Sequence, residues 1–367
     1  VTFDLPRIRE RFHRIPELAF SEFRTKALIL EYLQALPGIR IRQFAHNTGI
    51  LVEYRHAATP YRLFRADMDA LPLQEQTGCA YTSEHPGMMH ACGHDMHITI
   101  LLGLVGQVCH RRPDVNALFL FQPAEEGKGG AEAVLMEGII QEYDIDRVYA
   151  LHVASNMPVG SIGSRAGIFF ALPQEFDVRF IGKSAHVAFP EDGIDAMRSG
   201  IAFYNEMASR VSELAQQHRI IFHIGKMSAG DIRNVIADAC VLEGTHRSFD
   251  KAVSEELNGL INQVAMAVAQ AHHTDYQVDY LCKYDPVINA PAIVQNVKDA
   301  AAGEGIDYIE SPAVMTGEDF GAFNSRYPGA LFWLGSGCGE SLHSPRFLPS
   351  ADCLEVGLRV FWALLTQ

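Results

Sequence analysis

Residues 62–69, RLFRADMD, run a short apolar stretch straight into two carboxylates, Asp67 and Asp69. Three later stretches have the same design. ALFLFQ (117–122) leads to Glu125 and Glu126, RVYAL (147–151) leads to His152, and ALFWLG (330–335) is followed shortly by His343. Short apolar runs bounded by polar residues read as buried strands. Helical patterns at about 97–111, 129–138, 290–302 and 351–365 lie between or after them. Such alternation predicts an α/β fold, a mixed sheet with helices on both faces. Ligands in open α/β sheets bind beyond the carboxyl ends of strands, so these four ends can share one crevice.

The middle of the chain reads differently. A strand within LPQEFDVRFIG (172–182) is followed by a helix at about 193–217, strands at 220–227 and 235–246, a helix at 251–271 and the strand YQVDYLC (276–282). Val253, Leu257, Leu260, Ile261, Val264 and Val268 form one stripe on the second helix, and Asp250 is its expected N-cap. The order β-α-β-β-α-β is ferredoxin-like. The expected organisation is a catalytic domain of residues 1–169 and 284–367, interrupted by an inserted α+β domain of residues 170–283. The segment from Leu5 to Leu36 reads as amphipathic helix interrupted near Pro16.

A chain of 367 residues exceeds what one core usually holds. The net charge of −14 argues against nucleic acid as a partner, which needs a basic face. The chain opens without the charged-then-apolar form of a signal peptide, and its longest apolar run, ITILLGLVGQVC (98–109), is too short to span a bilayer. A cytoplasmic protein with no membrane partner is expected. Seven scattered cysteines without a C-x-x-C pair point to reduced thiols rather than a disulfide framework.

MHACGHDMH (89–97) crowds Cys92, His94, Asp95 and His97 together just after His90. One segment cannot complete a metal's coordination, but the strand ends supply partners. The candidate ligands are Cys92, His94, Glu126, His152 and His343. Five ligands exceed the need of one tetrahedral zinc and fit two divalent ions sharing Cys92, an arrangement suited to hydrolysis. Zinc, manganese, cobalt and nickel all suit such a mixed donor set. Glu126 is expected to coordinate and Glu125 to act as general base, since adjacent side chains of an extended chain diverge. Asp69, with Asp67 on the same face, is expected to support the ligands from behind. His90 and His97 are read as structural. Cys79, Cys109, Cys240, Cys282, Cys338 and Cys353 are read as apolar fillers or bystanders. There is no G-x-S-x-G or H-E-x-x-H motif, and the GKS at 182–184 lacks the first glycine of a phosphate loop.

HRIPELAFSEF, RADMDALPLQEQTG, MHACGHDMH, FQPAEEG, ALHV, GKSAHVAFPEDGIDA, NVIADACVLEGTHRSF, MTGEDFGAF and LHSPRF occur in order from residue 13 to residue 347. In this series the chain resembles the M20 family of metallopeptidases and aminoacylases. The resemblance implies an exopeptidase-type catalytic domain with an inserted lid and dimerisation domain, through which a homodimer can form. It places metal ligands at Cys92, His94, Glu126, His152 and His343, and the base at Glu125. It also implies that His186 polarises the scissile carbonyl, and that Asn234 and Arg247 contact the carboxylate side of a small N-acyl amino acid substrate. The narrower expectation is removal of acetyl from N-acetyl-L,L-diaminopimelate in lysine biosynthesis. A broader N-acyl-amino-acid amidohydrolase or dipeptidase, and a non-catalytic metal-binding protein of the same fold, are the alternatives.

Overall fold

Four parallel strands, Asn116–Gln122, Tyr61–Asp67, Ile145–Ala154 and Gly329–Gly335, lie side by side in that order in the computed structural model. The structure describes residues 3–367; Val1 and Thr2, at the start of the expected first domain, lie outside the described residues. These strands are buried nearly end to end, as expected when both faces of a parallel sheet are covered. Asp67 pairs with Gln122 and His152 with Trp333, so the carboxyl ends fall at one edge.

Antiparallel strands Ile50–Tyr54 and Arg40–Gln43 extend one side of the sheet. Ser161–Ser164, antiparallel to Gly329–Gly335, and Asp307–Glu310 extend the other. The result, among the described residues, is an eight-stranded mixed sheet. The helix His94–Arg111 packs on Tyr61–Asp67 and Ile145–Ala154 and against the C-terminal helix Cys353–Thr366. Their core includes Ile100, Leu101, Leu104, Phe64, Tyr149, Phe332 and Phe361.

The amphipathic segment near the N-terminus is two helices, Leu5–His13 and Phe23–Gln34. The break begins before Pro16, where Glu17 turns inward. Its carboxylate accepts the backbone N–H of Arg24 (3.1 Å) and Thr25 (2.8 Å).

The chain divides into two compact units. One takes in the chain up to Phe169, Val287–Ala313 and Asp319–Gln367, and carries the large sheet. The other takes in Phe170–Pro286 and Val314–Glu318. It holds the strands Leu172–Ile181, Ile220–Ala229, Ala239–Ser248 and Asp275–Lys283, with helices Ala196–Leu214 and Lys251–His272. In chain order these four strands stand fourth, first, third, second across the sheet, every neighbour antiparallel, which is the ferredoxin-like arrangement. Phe176, Val178, Phe180, Leu242, Phe203, Ile261 and Val264 bury one face of that sheet under its helices. Asp250 caps Lys251–His272, its Oδ1 accepting from Ala252 N at 2.8 Å.

Candidate metal centre

Each strand end delivers its residues by a specific local device. Gly93 lies between Cys92 and His94 at φ +83°, and a Cβ there would stand 2.5 Å from Val153 Cγ2. Only glycine lets this loop press so closely on the neighbouring strand. The helix expected from about residue 97 begins at His94, so a candidate ligand occupies its first turn. Beyond Gln122 the backbone does not stay extended. Ala124 has φ +58°, and Gly127 N donates to Glu125 O at 2.8 Å. Glu125 and Glu126 therefore diverge from a tight turn rather than from extended chain. His343, itself at φ +64°, is fastened by its N–H to Ala91 O at 2.9 Å. That bond sets the C-terminal loop beside the Cys92 loop.

The side chains converge. Cys92 Sγ lies 3.3 Å from His152 Nε2, and His343 Nε2 lies 3.3 Å from Glu126 Oε1. Donor atoms of Cys92, Glu126 and His343 all fall within 4.8 Å of one another, as do those of His94, Glu125 and Glu126. His94 Nε2 is 4.0 Å from Glu125 Oε2.

The ring nitrogens are assigned by their partners. His94 Nδ1 donates to Asp69 O at 2.8 Å, and His152 Nδ1 donates to Val153 O at 2.9 Å. The Nε2 lone pairs of both rings are thereby left facing the cluster. His94 Nε2 and Glu126 Oε1 are buried without a hydrogen-bond partner. Buried polar atoms left without a partner in this way are costly unless a proton or a metal cation lies between them.

Asp69 works as a clamp. Its Oδ1 accepts from Glu125 N (3.1 Å) and its Oδ2 from Glu126 N (2.9 Å), while its backbone carbonyl orients His94. Asp67 sits deeper, with Oδ1 3.8 Å from His94 Nε2 and 2.5 Å from His97 Nδ1, and Oδ2 taking a bond from Arg65 Nη1 at 2.6 Å.

The electrostatics point the same way. Burial pulls His94 down, but the charges of Asp67, Asp69 and Glu126 outweigh it and push the ring up to about 10. His152 is held down at about 3, chiefly by burial. Burial, reinforced by Glu126, Glu125 and Asp67, pushes the Cys92 thiol well above its ordinary range. A thiol in such surroundings becomes a thiolate only when a cation shares the cavity.

His97 belongs to this cluster, although its sequence context reads as structural. Both nitrogens are engaged: Nδ1 donates to Asp67, and Nε2 accepts Val153 N at 3.0 Å. It therefore braces the centre and offers no free lone pair. Arg65, Gln122 and Asp319 also escape a reading of the sequence. Asp319 accepts from Arg65 Nη2 (2.7 Å), Gln122 Nε2 (2.8 Å) and Ala131 N (2.8 Å), locking the strand ends together. A buried arginine within an apolar run was the available signal, since it demands acidic partners.

His186, Asn234 and Arg247 lie in the other unit. His186 and Asn234 are exposed on adjoining segments joined by Val187 N to Asn234 O at 3.2 Å. His186 Nδ1 accepts from Ala188 N at 3.1 Å, which leaves Nε2–H as its outward donor. Arg247 is half-buried on the strand Ala239–Ser248, donating from Nη1 to Met315 O at 2.9 Å.

The profile of peptidase family M20/M25/M40 matches residues 63–367. A protein of Oceanobacillus iheyensis named N-acetyldiaminopimelate deacetylase is 37% identical, with 99% of each chain covered. One of Shouchella clausii with the same name is 35% identical over 99% of this chain and 98% of its own. Among solved structures, the YXEP protein of Bacillus subtilis, described as a dinuclear metal-binding peptidase, superposes with a TM-score of 0.84. It is 29% identical, over 99% of this chain and 96% of that one.

Proposed function

The chain belongs to peptidase family M20/M25/M40, and from that premise we propose that it hydrolyses the acetyl amide of N-acetyl-L,L-diaminopimelate. The products are acetate and L,L-diaminopimelate, which places the reaction in the acetylase branch of lysine biosynthesis, in the cytoplasm. The observation that carries this reading is the convergence of metal-binding atoms beside Glu125: His94 Nε2 and Glu126 Oε1, buried without a hydrogen-bond partner, together with Cys92 Sγ, His152 Nε2 and His343 Nε2. Full-length relatives named for this reaction set the substrate.

Cys92, His94, Glu126, His152 and His343 would hold two divalent ions. When bound, they supply Lewis acidity toward the amide carbonyl and acidify water. The remaining work falls to the chain. Glu125 accepts the proton of the attacking water and returns it to the amine nitrogen as the C–N bond breaks. Asp69 holds the backbone of Glu125, so the carboxylate is aimed before substrate arrives. His186 presents Nε2–H to the carbonyl oxygen as negative charge develops there. Arg247 and Asn234 grip the carboxylate of the amino-acid portion, for which a planar guanidinium fork is well suited. A homodimer pairing through the inserted unit is part of the same reading. Sedimentation tests it: a monomer at all concentrations contradicts it.

A broader N-acyl-amino-acid amidohydrolase or dipeptidase is the second reading, favoured by the likeness to a protein described as a peptidase. The test compares kcat/KM on N-acetyl-L,L-diaminopimelate, N-acetylmethionine and a dipeptide, with metal measured on the same sample. The proposal expects the diaminopimelate derivative to lead by at least about tenfold, a margin that one well-placed polar recognition contact supplies. Equal rates on all three support the broader enzyme. No hydrolysis by metal-loaded protein contradicts both.

A further inference from the structure

A second cluster of metal-binding side chains lies apart from the centre described above. His13, at the end of the helix Leu5–His13, meets Glu75 and Cys79 from the loop that follows Asp69. The three donor atoms lie within 4.8 Å of one another. His13 Nε2 is 3.2 Å from Glu75 Oε1, and Cys79 Sγ is 3.8 Å from that same oxygen. Around a tetrahedral zinc, ordinary bond lengths give edges of about 3.3 Å for N···O and about 3.6 Å for S···O. The two edges that meet at Glu75 Oε1 lie close to those values.

The surroundings prepare it further. His13 Nδ1 donates to Asp95 Oδ2 at 2.8 Å, which turns Nε2 toward Glu75. A carboxylate behind a histidine in this way is the usual support of a metal-bound imidazole. The Arg9 guanidinium takes the same Asp95 oxygen at 3.1 Å, so the charge of Asp95 is already balanced from the far side. Glu75 Oε2 is anchored by Ser83 N at 2.6 Å, and Oε1, which also accepts the Thr77 hydroxyl, faces His13 and Cys79. Burial pulls His13 down, but Asp95 and then Glu75 hold it well above its ordinary value, so positive charge is favoured between the ring and Glu75; without a metal a proton on Nε2 supplies it, and a zinc ion would take that proton's place. His13 and Glu75 are almost fully buried, at 1% and 2% side-chain exposure, whereas Cys79 is half-buried and leaves a path for an ion.

We propose that His13, Glu75 and Cys79 form a further zinc site, with a solvent molecule completing the tetrahedron. Binding releases the thiol proton of Cys79 and the Nε2 proton of His13 to solvent. The site pins the loop 75–83 to the first helix, and it is independent of the reaction assigned to the main centre.

Zinc itself is the probe. The metal-loaded protein and its Cys79→Ala variant are equilibrated with zinc, freed of excess, and analysed for zinc per chain, after a thermal melt has shown both folded. The wild type is expected to hold one more equivalent than the variant. In the wild type, zinc is expected to slow alkylation of Cys79 by iodoacetamide, followed by peptide mapping, by about tenfold or more, because a coordinated thiolate is shielded. Alkylation of Cys338, half-buried elsewhere, serves as the unaffected control. Equal zinc contents together with zinc-independent alkylation of Cys79 would overturn the proposal and leave a histidine–carboxylate ion pair.

Discussion

Glu125 and Glu126 are chemical twins given different work by one turn. Glu126 Oε1 faces His343 across 3.3 Å, while Glu125 stands on the His94 side with its N–H held by Asp69. Glu125→Gln keeps the shape and removes the base. The variant is expected to keep its metal and lose about a hundredfold to ten-thousandfold in kcat, the usual weight of a positioned acid–base group. Wild-type kcat in that variant would remove Glu125 from its role. Gly93 is tested by folding rather than by rate. Gly93→Ala must place a methyl 2.5 Å from Val153 Cγ2 at φ +83°. Left-handed strain and overpacking together are expected to cost about 2–4 kcal/mol, read by urea denaturation. At this scale much of the centre was legible, because metal-binding residue types stand at the ends of apolar runs. What was hidden depends on three-dimensional partners. Nothing in LHSPRF says that His343 adopts φ +64°, and nothing in MHACGHDMH says that both nitrogens of His97 are engaged.

Elements were legible where burial writes a pattern. The strands around residues 62, 117, 147 and 330 are continuous apolar runs because helices cover them, and the helix Lys251–His272 of the inserted unit carries a clean stripe. The short strands Arg40–Gln43, Ser161–Ser164 and Asp307–Glu310 went unread. Four residues of mixed polarity toward a sheet's margin carry too little periodicity. One contact between elements makes a pH prediction. Glu22, just before the helix Phe23–Gln34, accepts Ala124 N at 2.9 Å and the hydroxyl of Thr48, tying that helix to the turn that carries Glu125. Burial, with a smaller push from Asp69, raises its carboxyl from 4.5 to about 7 despite these bonds. Below pH 4.5 the group is protonated whether folded or unfolded. Between 4.5 and 7 the folded state holds the proton more tightly, so this contribution to stability declines as pH rises. Glu22→Gln has no such decline. The variant's thermal midpoint is expected to gain on the wild type across that window, and a constant difference would contradict the assignment. Asp250→Ala, which removes the cap on Lys251–His272, is expected to cost about 1 kcal/mol in urea denaturation.

For the molecule as a whole, the chain order of its elements carried the architecture. A β-α-β-β-α-β block set between α/β segments reads as an insertion, and the structure has a compact unit covering Phe170–Pro286 together with Val314–Glu318. The return of Val314–Glu318 to that unit was not legible. Its marks are three-dimensional, among them a bridge between Phe170 and Val314 and the hydrogen bond from Arg247 to Met315 O. The charge balance of the large unit has a global consequence. Asp67, Asp69, Glu125 and Glu126 are gathered around donors that want a cation, so stripping metal should loosen the unit as well as stop the reaction. A chelator is expected to abolish deacetylation and lower the thermal midpoint, and added zinc or manganese to restore both.

Everything proposed for the reaction rests on strand ends far apart in sequence holding a pair of cations through Cys92. Anomalous diffraction from crystals of the metal-loaded protein tests it most directly. Two peaks about 3.5–4 Å apart are expected, with Cys92 Sγ touching both, His94 and His152 on one, and Glu126 and His343 on the other. A single peak, or two peaks away from Cys92, would contradict it.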